Sequence, residues 1–423
     1  MLELQYFRNK ASWLIEKLKI KNRQVKEIVY NIKKLDEEKR QVQTEQDALL
    51  AKVNSMSKEI GALMSKGEKE LALDFKNQVS SLKANISDLE NKLKSISSLI
   101  YDSLVQLPNI PHEKVPAGHS ATDNELVYQS NHNLISSKAI LPHWDLIKKY
   151  NLADFEWGAK ISGSGFPFFI GQGSKLQRAL VQFFLDYNIQ RGYTEVTPPL
   201  LVNNDTAFAT GQLPDKEGQM YFVTQDELYL IPTSEVPVTN IYRNEIIEMD
   251  KLPIKLTAFS NCFRREAGSF GKDVRGLNRV HQFEKVEIVQ ITAPEKSYDT
   301  LEEMVTHVKG ILEQLELPFR IIRLCGGDMS FASAMTYDFE VYSLAQQKWL
   351  EVSSVSNFET FQTNRLKCRF KDTQGKTHLA HSLNGSALAL PRIIACLLEN
   401  NQVEDGINIP KALHSYFGKD RIC

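Results

Sequence analysis

The sequence has 423 residues, of which 42% are hydrophobic, and a formal net charge of −1. This length and composition suit a globular protein of two or three domains, and the apolar runs fall far short of the roughly 20 residues that a membrane-spanning helix needs. The N-terminus lacks the basic and then apolar segments of a secretory signal, so a cytoplasmic protein without membrane association is expected.

The first 40 residues are basic, with 11 Lys and Arg against 6 Asp and Glu. A basic end on a nearly neutral chain favours a polyanionic partner that contacts one part of the molecule. A charge excess of this kind is also typical of a solvated helix face, so the charge alone does not identify a partner.

The first quarter of the chain has heptad periodicity. Apolar residues recur every seven positions over 35–63, a second series covers 71–100, and Lys39 and Gln46 interrupt the first series. Two such seams joined through 61–67 can bury their apolar faces only against each other, so an antiparallel coiled-coil hairpin is predicted. Helices of about 35 residues would be roughly 50 Å long. Periodicity leaves open whether this arm is a spacer, a dimerisation arm or a nucleic-acid-binding arm.

Prolines at 108, 111 and 116 end the helical region, and a polar stretch follows. We therefore predict an N-terminal arm at 1–107, a linker at 108–138 and a C-terminal domain at 139–423. The C-terminal domain has helical windows at 176–189 and 298–315, and short strand-like runs at 228–231, 286–291, 319–324 and 339–342. Helices and strands without a regular βαβ order favour an α+β domain around an antiparallel sheet.

The five cysteines are far apart in the sequence: Cys262, Cys325, Cys368, Cys396 and Cys423. This spacing disfavours both a disulfide framework and a cysteine-rich zinc site. Reduced, mostly buried thiols and no zinc are expected.

Glycine-loop nucleotide sites fail on inspection. Gly375, Lys376 and Thr377 would complete a Walker loop only with glycine in place of Phe370. The segment 263–287 offers another way to bind phosphate, because four arginines lie in a glycine-rich loop between two apolar-flanked ends. Guanidinium groups bind phosphate oxygens in a planar fork, so this hairpin could hold a triphosphate. The residue types fit a surface hairpin of paired charges equally well.

Five segments resemble motifs of the class II aminoacyl-tRNA synthetases, in the form found in seryl-tRNA synthetases. They are Arg191, Gly192, Tyr193, Pro198 and Pro199 for motif 1; Phe263, Arg264 and Glu266 with His281, Gln282 and Phe283 for motif 2; Asn384, Gly385, Ser386 and Arg392 for motif 3; Thr233, Ser234 and Glu235 for the serine loop; and Glu351, Val352, Ser353 and Ser354 for the acidic strand. The motifs occur in the family's order behind a hairpin arm, and the resemblance covers essentially the whole chain. The sequence is therefore identified as a member of this family.

The resemblance implies an α+β fold, with an N-terminal antiparallel coiled-coil hairpin and a class II catalytic domain built on an antiparallel sheet flanked by helices. It also implies an enzyme that activates L-serine with ATP to seryl-adenylate and pyrophosphate. The serine would then pass to the 3′ end of tRNA(Ser), and of tRNA(Sec) where an organism has one. In the family the enzyme is a cytoplasmic homodimer, and the arm of one subunit binds the tRNA charged by the other.

The site residues follow from the same resemblance, position by position. Arg264 would contact the α-phosphate, Glu266 the adenine amino group, and Arg392 the γ-phosphate, with Phe283 stacked on the adenine. The implied ATP-binding set is Arg264, Arg265, Glu266, Arg279, Val280, Phe283, Glu351, Val352, Ser353, Ser354 and Arg392, of which Arg264 and Arg392 are the catalytic residues. Glu351 and Ser354 would also bind Mg²⁺. The implied serine-binding set is Thr233, Ser234, Glu235, Arg264, Glu287, Asn384 and Ser386.

The implied chemistry needs alignment and charge neutralisation and no general base, because the carboxylate of serine is already ionised at neutral pH. His281 and His381 are therefore predicted to pack or to form hydrogen bonds. Four positions depart from the family's usual pattern: Met335 for lysine, Tyr342 for tryptophan, Val355 for cysteine and Pro391 for glycine.

Two other functions are compatible with parts of this pattern. A catalytically silent RNA-binding paralogue would have lost ATP ligands, yet Arg264, Glu266 and Arg392 are present. A relative that loads amino acids onto carrier proteins would lack the long arm. Both alternatives are disfavoured.

Overall fold

The computed structural model describes residues 1–131, 140–266 and 275–423. These residues form two compact units, one made of Met1–Lys19 and Arg23–Pro108 and the other of Ile20–Asn22 and Asn109–Cys423. The end of the predicted linker, 132–138, and the glycine-rich part of the motif 2 segment, 267–274, lie outside the described residues.

The α-helices of the described residues are α1 (Leu4–Asn9), α2 (Ala11–Lys19), α3 (Lys26–Ser65), α4 (Lys69–Val105), α5 (His143–Lys149), α6 (Phe155–Ser162), α7 (Gln172–Ile189), α8 (Asn204–Thr210), α9 (Glu235–Thr239), α10 (Ser297–Gln314), α11 (Thr360–Leu366), α12 (Leu390–Asn400) and α13 (His414–Phe417). Within the described ranges, none of these helices combines the length and the apolar character needed to cross a bilayer.

The strands are β1 (Glu125–Gln129), β2 (Ala153–Asp154), β3 (Phe168–Phe169), β4 (Thr194–Glu195), β5 (Leu201–Val202), β6 (Phe222–Val223), β7 (Leu228–Leu230), β8 (Ile246–Glu248), β9 (Ile254–Phe263), β10 (Gln282–Thr292), β11 (Phe319–Arg323), β12 (Met335–Ser343), β13 (Lys348–Asn357), β14 (Arg369–Lys371), β15 (Thr377–Leu379), β16 (His381–Ala389), β17 (Gln402–Val403), β18 (Gly406–Asn408) and β19 (Arg421–Ile422).

The predicted hairpin is confirmed in the first unit, where α3 and α4 pack along their heptad seams. Val53 and Met56 of α3 bury their side chains against Val79 and Ile86 of α4. The reversal is tighter than expected, because α3 continues past Gly61 and the chain turns at 66–68. Gly67 has a φ of +80°, a conformation that glycine adopts without steric cost.

A buried carboxylate also lies in the α3 seam. Asp36 is 1% exposed and accepts two hydrogen bonds of 2.7 Å from Arg8 of α1 and one of 3.2 Å from Arg40. The hydrogen bonds from Arg8 hold the pKa of Asp36 below its ordinary value. Asp36 therefore interrupts the apolar seam in addition to the predicted Lys39 and Gln46, and its charge is offset by Arg8 and Arg40.

The second unit is built on an eight-stranded sheet with the order β1-β11-β12-β13-β16-β10-β9-β4. All pairings in it are antiparallel except the one between β4 and β9, so the predicted α+β architecture is confirmed. Buried side chains of α7, α10 and α12, such as Phe184, Met304 and Ile394, share one apolar core with strand residues such as Phe339. Strand β1 lies within the segment predicted as linker.

The predicted helical windows correspond to α7 and α10, and the four predicted strand-like runs correspond to β7, β10, β11 and β12. The predicted state of the cysteines is also confirmed for burial, since Cys262, Cys325, Cys368 and Cys396 are buried and Cys423 is exposed. None of these five forms a disulfide in the described part of the chain.

Candidate active site

Predicted site residues lie on three adjacent strands of the large sheet. Across β10 and β16 Glu287 is opposite Ser386, and across β16 and β13 Asn384 is opposite Ser356. Directly opposite residues share a face of a sheet, as do alternate residues of one strand. Glu287, Ser386, Asn384 and Ser354 therefore lie on the same face, although they come from distant parts of the sequence.

A β-bulge brings Glu351 onto that face as well. Two residues three positions apart on a regular strand point to opposite sides, but Ser354 is opposite Asp338 whereas Glu351 is opposite Glu340. Because Asp338 and Glu340 are two positions apart, the register shift between them aligns Glu351 with Ser354. The hydroxyl of Ser353 instead donates to the Ser386 carbonyl at 2.5 Å.

Asp338 adds a second carboxylate beside Glu351 and the Ser354 hydroxyl. Burial and the nearby Glu351 carboxylate raise its pKa, while a hydrogen bond with Ser354 opposes that shift. Its Oδ1 is buried without a hydrogen-bond partner among the described residues. This oxygen-only set fits a hard divalent cation. The described ranges contain no group of three or more His, Cys, Asp or Glu that could hold a metal ion.

The two ends of the motif 2 segment bring arginine and aromatic side chains together. Arg264 follows β9, and its guanidinium carbon lies 5.4 Å from the ring centroid of Phe283 on β10. Glu266 has a φ of +48° and forms an ion pair with Arg279, whose Nε lies 2.6 Å from Glu266 Oε2. Arg265 is exposed and Val280 is buried. The described ends of the segment thus place a cation, a ring and a carboxylate around one region.

Arg392 joins three segments of the second unit. It lies in the first turn of α12, and its Nε donates to the Asn278 carbonyl at 3.0 Å. Its Nη1 donates to the Glu351 carbonyl at 2.7 Å. Motif 3, the return of motif 2 and the acidic strand therefore meet at one guanidinium group.

The serine loop contributes one carboxylate, Glu235, which lies close to the Glu287 carboxylate of β10. Thr233 donates its hydroxyl to Glu287 Oε2 at 3.1 Å, and Lys285 Nζ lies 2.5 Å from the same oxygen. Glu235 accepts a hydrogen bond of 2.7 Å from Gln362 Nε2. The Ser234 hydroxyl is 2.5 Å from the Ser260 hydroxyl, so its side chain is directed into the protein.

The Glu235 carboxyl group has a perturbed ionisation. The residue is partly accessible to solvent, but its carboxyl group is desolvated by burial. This desolvation, followed by the repulsion from Glu287, raises its pKa to about 7, and the hydrogen bond from Gln362 opposes the shift. Glu235 therefore titrates near neutral pH.

A donor without a partner faces the same region of the sheet. Asn384 Nδ2 is buried and lies outside hydrogen-bond geometry to any group of the described residues, although the amide is close enough to Glu235 to help lower its pKa. An unsatisfied buried amide is costly. It indicates a site that a ligand oxygen would complete.

Comparisons with known proteins establish which family the chain belongs to. Residues 1–111 match the family model described as the seryl-tRNA synthetase N-terminal domain, and residues 221–401 match the tRNA synthetase class II core domain (G, H, P, S and T). Over 424 residues the chain is 45% identical to a serine–tRNA ligase from Salinibacter ruber, covering 100% of this chain and 99% of that protein.

The chain belongs to the seryl-tRNA synthetase family.

Solved structures give the same result. The seryl-tRNA synthetase from Pyrococcus horikoshii complexed with ATP has a TM-score of 0.93 and 33% identity, covering 100% of this chain and 99% of that chain. The cytoplasmic serine–tRNA ligase from Naegleria fowleri in complex with AMP has a TM-score of 0.88 and 25% identity, with 100% and 98% covered.

The departures from the usual seryl-tRNA synthetase pattern are accommodated locally. Pro391 lies in the first turn of α12, where a backbone N–H has no intrahelical partner, so the helix still begins at Leu390. Val355 packs against Gly385, where an added Cβ would lie 2.9 Å from its side chain. Met335 is buried in the core, and Tyr342 forms an edge contact with Trp349.

Both histidines singled out in the sequence make packing or hydrogen-bonding contacts. His281 Nδ1 lies 3.0 Å from the Arg264 carbonyl, and its ring stacks on Phe166. His381 is buried with Nδ1 2.8 Å from the Ser297 hydroxyl, and desolvation lowers its pKa to about 4. These contacts suit the hydrogen-bonding role predicted for both.

Sequence reasoning missed Gln362, Lys285 and Asp338. Gln362 lies in α11, far along the chain from the serine loop, and its residue type carries no signal. Lys285 was visible inside the motif 2 return, but only its 2.5 Å ion pair with Glu287 shows what it does.

Proposed function

We propose that this chain is a serine–tRNA ligase that activates L-serine with ATP and transfers it to the 3′ end of tRNA(Ser). The observation that carries the proposal is an arrangement around β10. Glu287 lies beside Glu235, and this pair is suited to an ammonium group. Phe283 lies beside Arg264, and Arg392 contacts Glu351 on β13, a set suited to a nucleotide. Family membership over the whole chain supports the same reaction.

In the first step a carboxylate oxygen of serine attacks the α-phosphorus of ATP, and the bond to pyrophosphate breaks. Arg264 would neutralise charge that develops on the α-phosphate, and Arg392 would hold the γ-phosphate. Phe283 would stack on adenine, and Glu266 would accept a hydrogen bond from its amino group. In the second step the tRNA 3′-terminal hydroxyl attacks the carbonyl carbon of seryl-adenylate, and AMP leaves.

Glu351 and Ser354 would hold the magnesium ion that accompanies ATP. The ion, when bound, supplies positive charge that offsets the phosphate oxygens. The orphaned Asp338 Oδ1 beside these two residues supports a cation at this point. Val352 and Ser353 would contribute to the nucleotide site through their backbone, since both are buried.

Specificity for serine would come from polar side chains that face its ammonium group and its hydroxyl. Glu235, Glu287 and Thr233 would surround the ammonium group, whereas Asn384 and Ser386 would face the hydroxyl. Alanine would leave the Asn384 amide without a partner, which is costly for a buried donor. Threonine would be excluded by the volume of its methyl group.

The basic N-terminal arm would bind the tRNA by shape and phosphate contacts, as expected for structured RNA. tRNA(Sec) would be a second substrate where an organism has one. We also propose a homodimer in the cytoplasm. A groove of about 460 Å³ between α7 and β9, lined by Val181, Leu185 and Phe259 next to the motif 1 segment, supports a subunit contact there.

Charging of bulk tRNA with labelled serine tests the proposal. Accumulation of acid-precipitable seryl-tRNA that requires ATP and Mg²⁺ is the expected result. Activation of serine without any transfer to tRNA would instead favour a relative that charges a different carrier.

The KM for serine is expected to fall about tenfold between pH 6 and pH 8. Glu235, whose pKa is raised to about 7, is mostly protonated at pH 6 and mostly ionised at pH 8, and only the carboxylate attracts the ammonium group. Pyrophosphate exchange at varied serine measures this change, with the KM for ATP as the parallel control. Glu235→Gln should have a higher KM without that pH dependence; an unchanged pH profile in this variant would contradict the assignment.

Gln362→Met is expected to shift the midpoint of that pH profile to higher pH, because the hydrogen bond that stabilises the Glu235 carboxylate is lost. The KM for serine at pH 7 should rise by about tenfold. Gln362 Nε2 donates to Glu235 and its Oε1 accepts from Ser382, so the side chain is fixed in place. Gln290→Met is the matched control, because it removes a buried 2.7 Å hydrogen bond to Tyr193 instead. Equal kinetics in the two variants would show that Gln362 acts only on stability.

A further inference from the structure

A buried histidine and a buried glutamate connect two helices of the second unit that are far apart in the sequence. His143 begins α5 and Glu399 lies in the last turn of α12; their Nδ1 and Oε1 atoms are 2.7 Å apart and both side chains are fully buried. The His143 backbone N–H and Gln346 Nε2 each donate to the same oxygen at 3.0 Å, and the Ser343 hydroxyl donates to the other. Burial alone would raise the pKa of Glu399, but the hydrogen bonds from His143 and Ser343 keep it below its ordinary value.

The other ring nitrogen of His143 holds the return of the motif 2 segment. The Leu277 backbone N–H donates to His143 Nε2 at 2.9 Å. A nitrogen that accepts this bond carries no proton, so Nδ1 carries the ring proton and donates it to Glu399. Gly276 has a φ of +66°, and a Cβ there would lie 2.3 Å from His143 Nε2. The backbone at 276–277 is therefore packed directly against the imidazole.

The residue that follows Leu277 contacts Arg392. The carbonyl of Asn278, adjacent to Leu277, accepts the hydrogen bond from Arg392 Nε at 3.0 Å. The Asn278 side chain donates to Gln346 Oε1 at 2.8 Å, and Gln346 donates to Glu399. Both the side chain and the adjacent peptide of Asn278 are thus tied to the buried pair.

We propose that His143 is a positioning residue for ATP. By donating to Glu399 and accepting from Leu277, it fixes the 276–278 backbone and, through the Asn278 carbonyl, the guanidinium of Arg392. This inference rests on the proposed role of Arg392 in holding the γ-phosphate. Groups that orient a ligand-binding side chain typically change affinity or activity by about 10- to 100-fold.

Two conservative variants separate the two hydrogen bonds of the ring. In His143→Asn the amide nitrogen replaces Nδ1 as donor to Glu399, but nothing accepts from Leu277. In His143→Gln the amide oxygen reaches the position of Nε2 and accepts from Leu277, but the donor to Glu399 is lost. Each variant loses one buried hydrogen bond, so similar decreases in Tm are expected.

The kinetics of the two variants should differ. In serine-dependent pyrophosphate exchange, kcat/KM for ATP should fall about 10- to 100-fold in His143→Asn and stay within about threefold in His143→Gln. The KM for serine should stay unchanged in both. Adding His143→Asn to Arg392→Gln should cause no further loss, because the two residues act on one contact.

Equal losses in the two His143 variants, or additive losses with Arg392→Gln, would overturn the proposal and leave a purely structural role. If the wild-type chain showed no exchange at all, the proposed function would fail instead. Calorimetric ATP binding by the same variants would then decide the inference, with weakened binding expected in His143→Asn and retained binding in His143→Gln.

Discussion

Arg264→Gln is expected to lower kcat for serine-dependent pyrophosphate exchange by about 100- to 1,000-fold, the cost of removing one preorganised group that stabilises transition-state charge. Arg264 is placed over Phe283, at the point where the motif 2 strand ends. Among the described residues, its side chain makes one long hydrogen bond of 3.4 Å, to the Pro232 carbonyl, so the fold is expected to lose little when the guanidinium is removed. Tm should therefore change little while the rate falls.

Arg369→Gln provides the matched control, because Arg369 is exposed on β14 of a separate three-stranded sheet. Exchange by this variant should equal that of the wild-type chain. Comparable rate losses in both variants, or a rate loss in Arg264→Gln that follows its Tm, would refute a specific role for Arg264.

Shortening the arm should separate activation from charging. In a variant that replaces residues 46–86 with a short glycine-rich turn, serine-dependent exchange should stay within about twofold, because the proposed ATP and serine residues all lie in the other unit. Charging of tRNA should fall by at least about 100-fold as phosphate contacts are lost. The deletion removes the seam cluster around Val53 and Val79 but keeps the Glu38–Lys92 ion pair of 3.1 Å near the base of the hairpin.

The control for this deletion replaces only 66–68 with the same glycine-rich turn, which leaves both long helices in place. It should charge tRNA like the wild-type chain. Full charging by the shortened variant would rule out the arm as the tRNA-binding element, and a parallel loss of exchange would show that the two units do not act separately.

Patterns set by neighbouring residues were predictable from the sequence. The hairpin follows from heptad spacing, and Gly67 marks its reversal because it can adopt a positive φ. The Asp36 carboxylate in the seam was not predictable, since its partner Arg8 comes from another helix. The predicted connection began too early, at Gly61, because α3 continues through this residue to Ser65. Packing along the seam outweighs the small helix penalty of one glycine.

The site residues came from motif resemblance, and their arrangement depends on pairings that a sequence does not display. The bulge that aligns Glu351 with Ser354 is a register shift between β12 and β13. The hydrogen bond from Gln362 to Glu235 joins residues separated by 127 positions. Such contacts are set by the packing of the whole sheet, so residue type and local spacing carry no trace of them.

Pyrophosphate exchange compared across serine, threonine, alanine and glycine tests the central claim most directly. The arrangement of Glu235, Glu287 and Asn384 predicts strong exchange with serine, and much weaker exchange with alanine and glycine, which lack the hydroxyl, and with threonine, whose methyl group does not fit. Equal exchange with all four amino acids, or none with serine, would contradict the account.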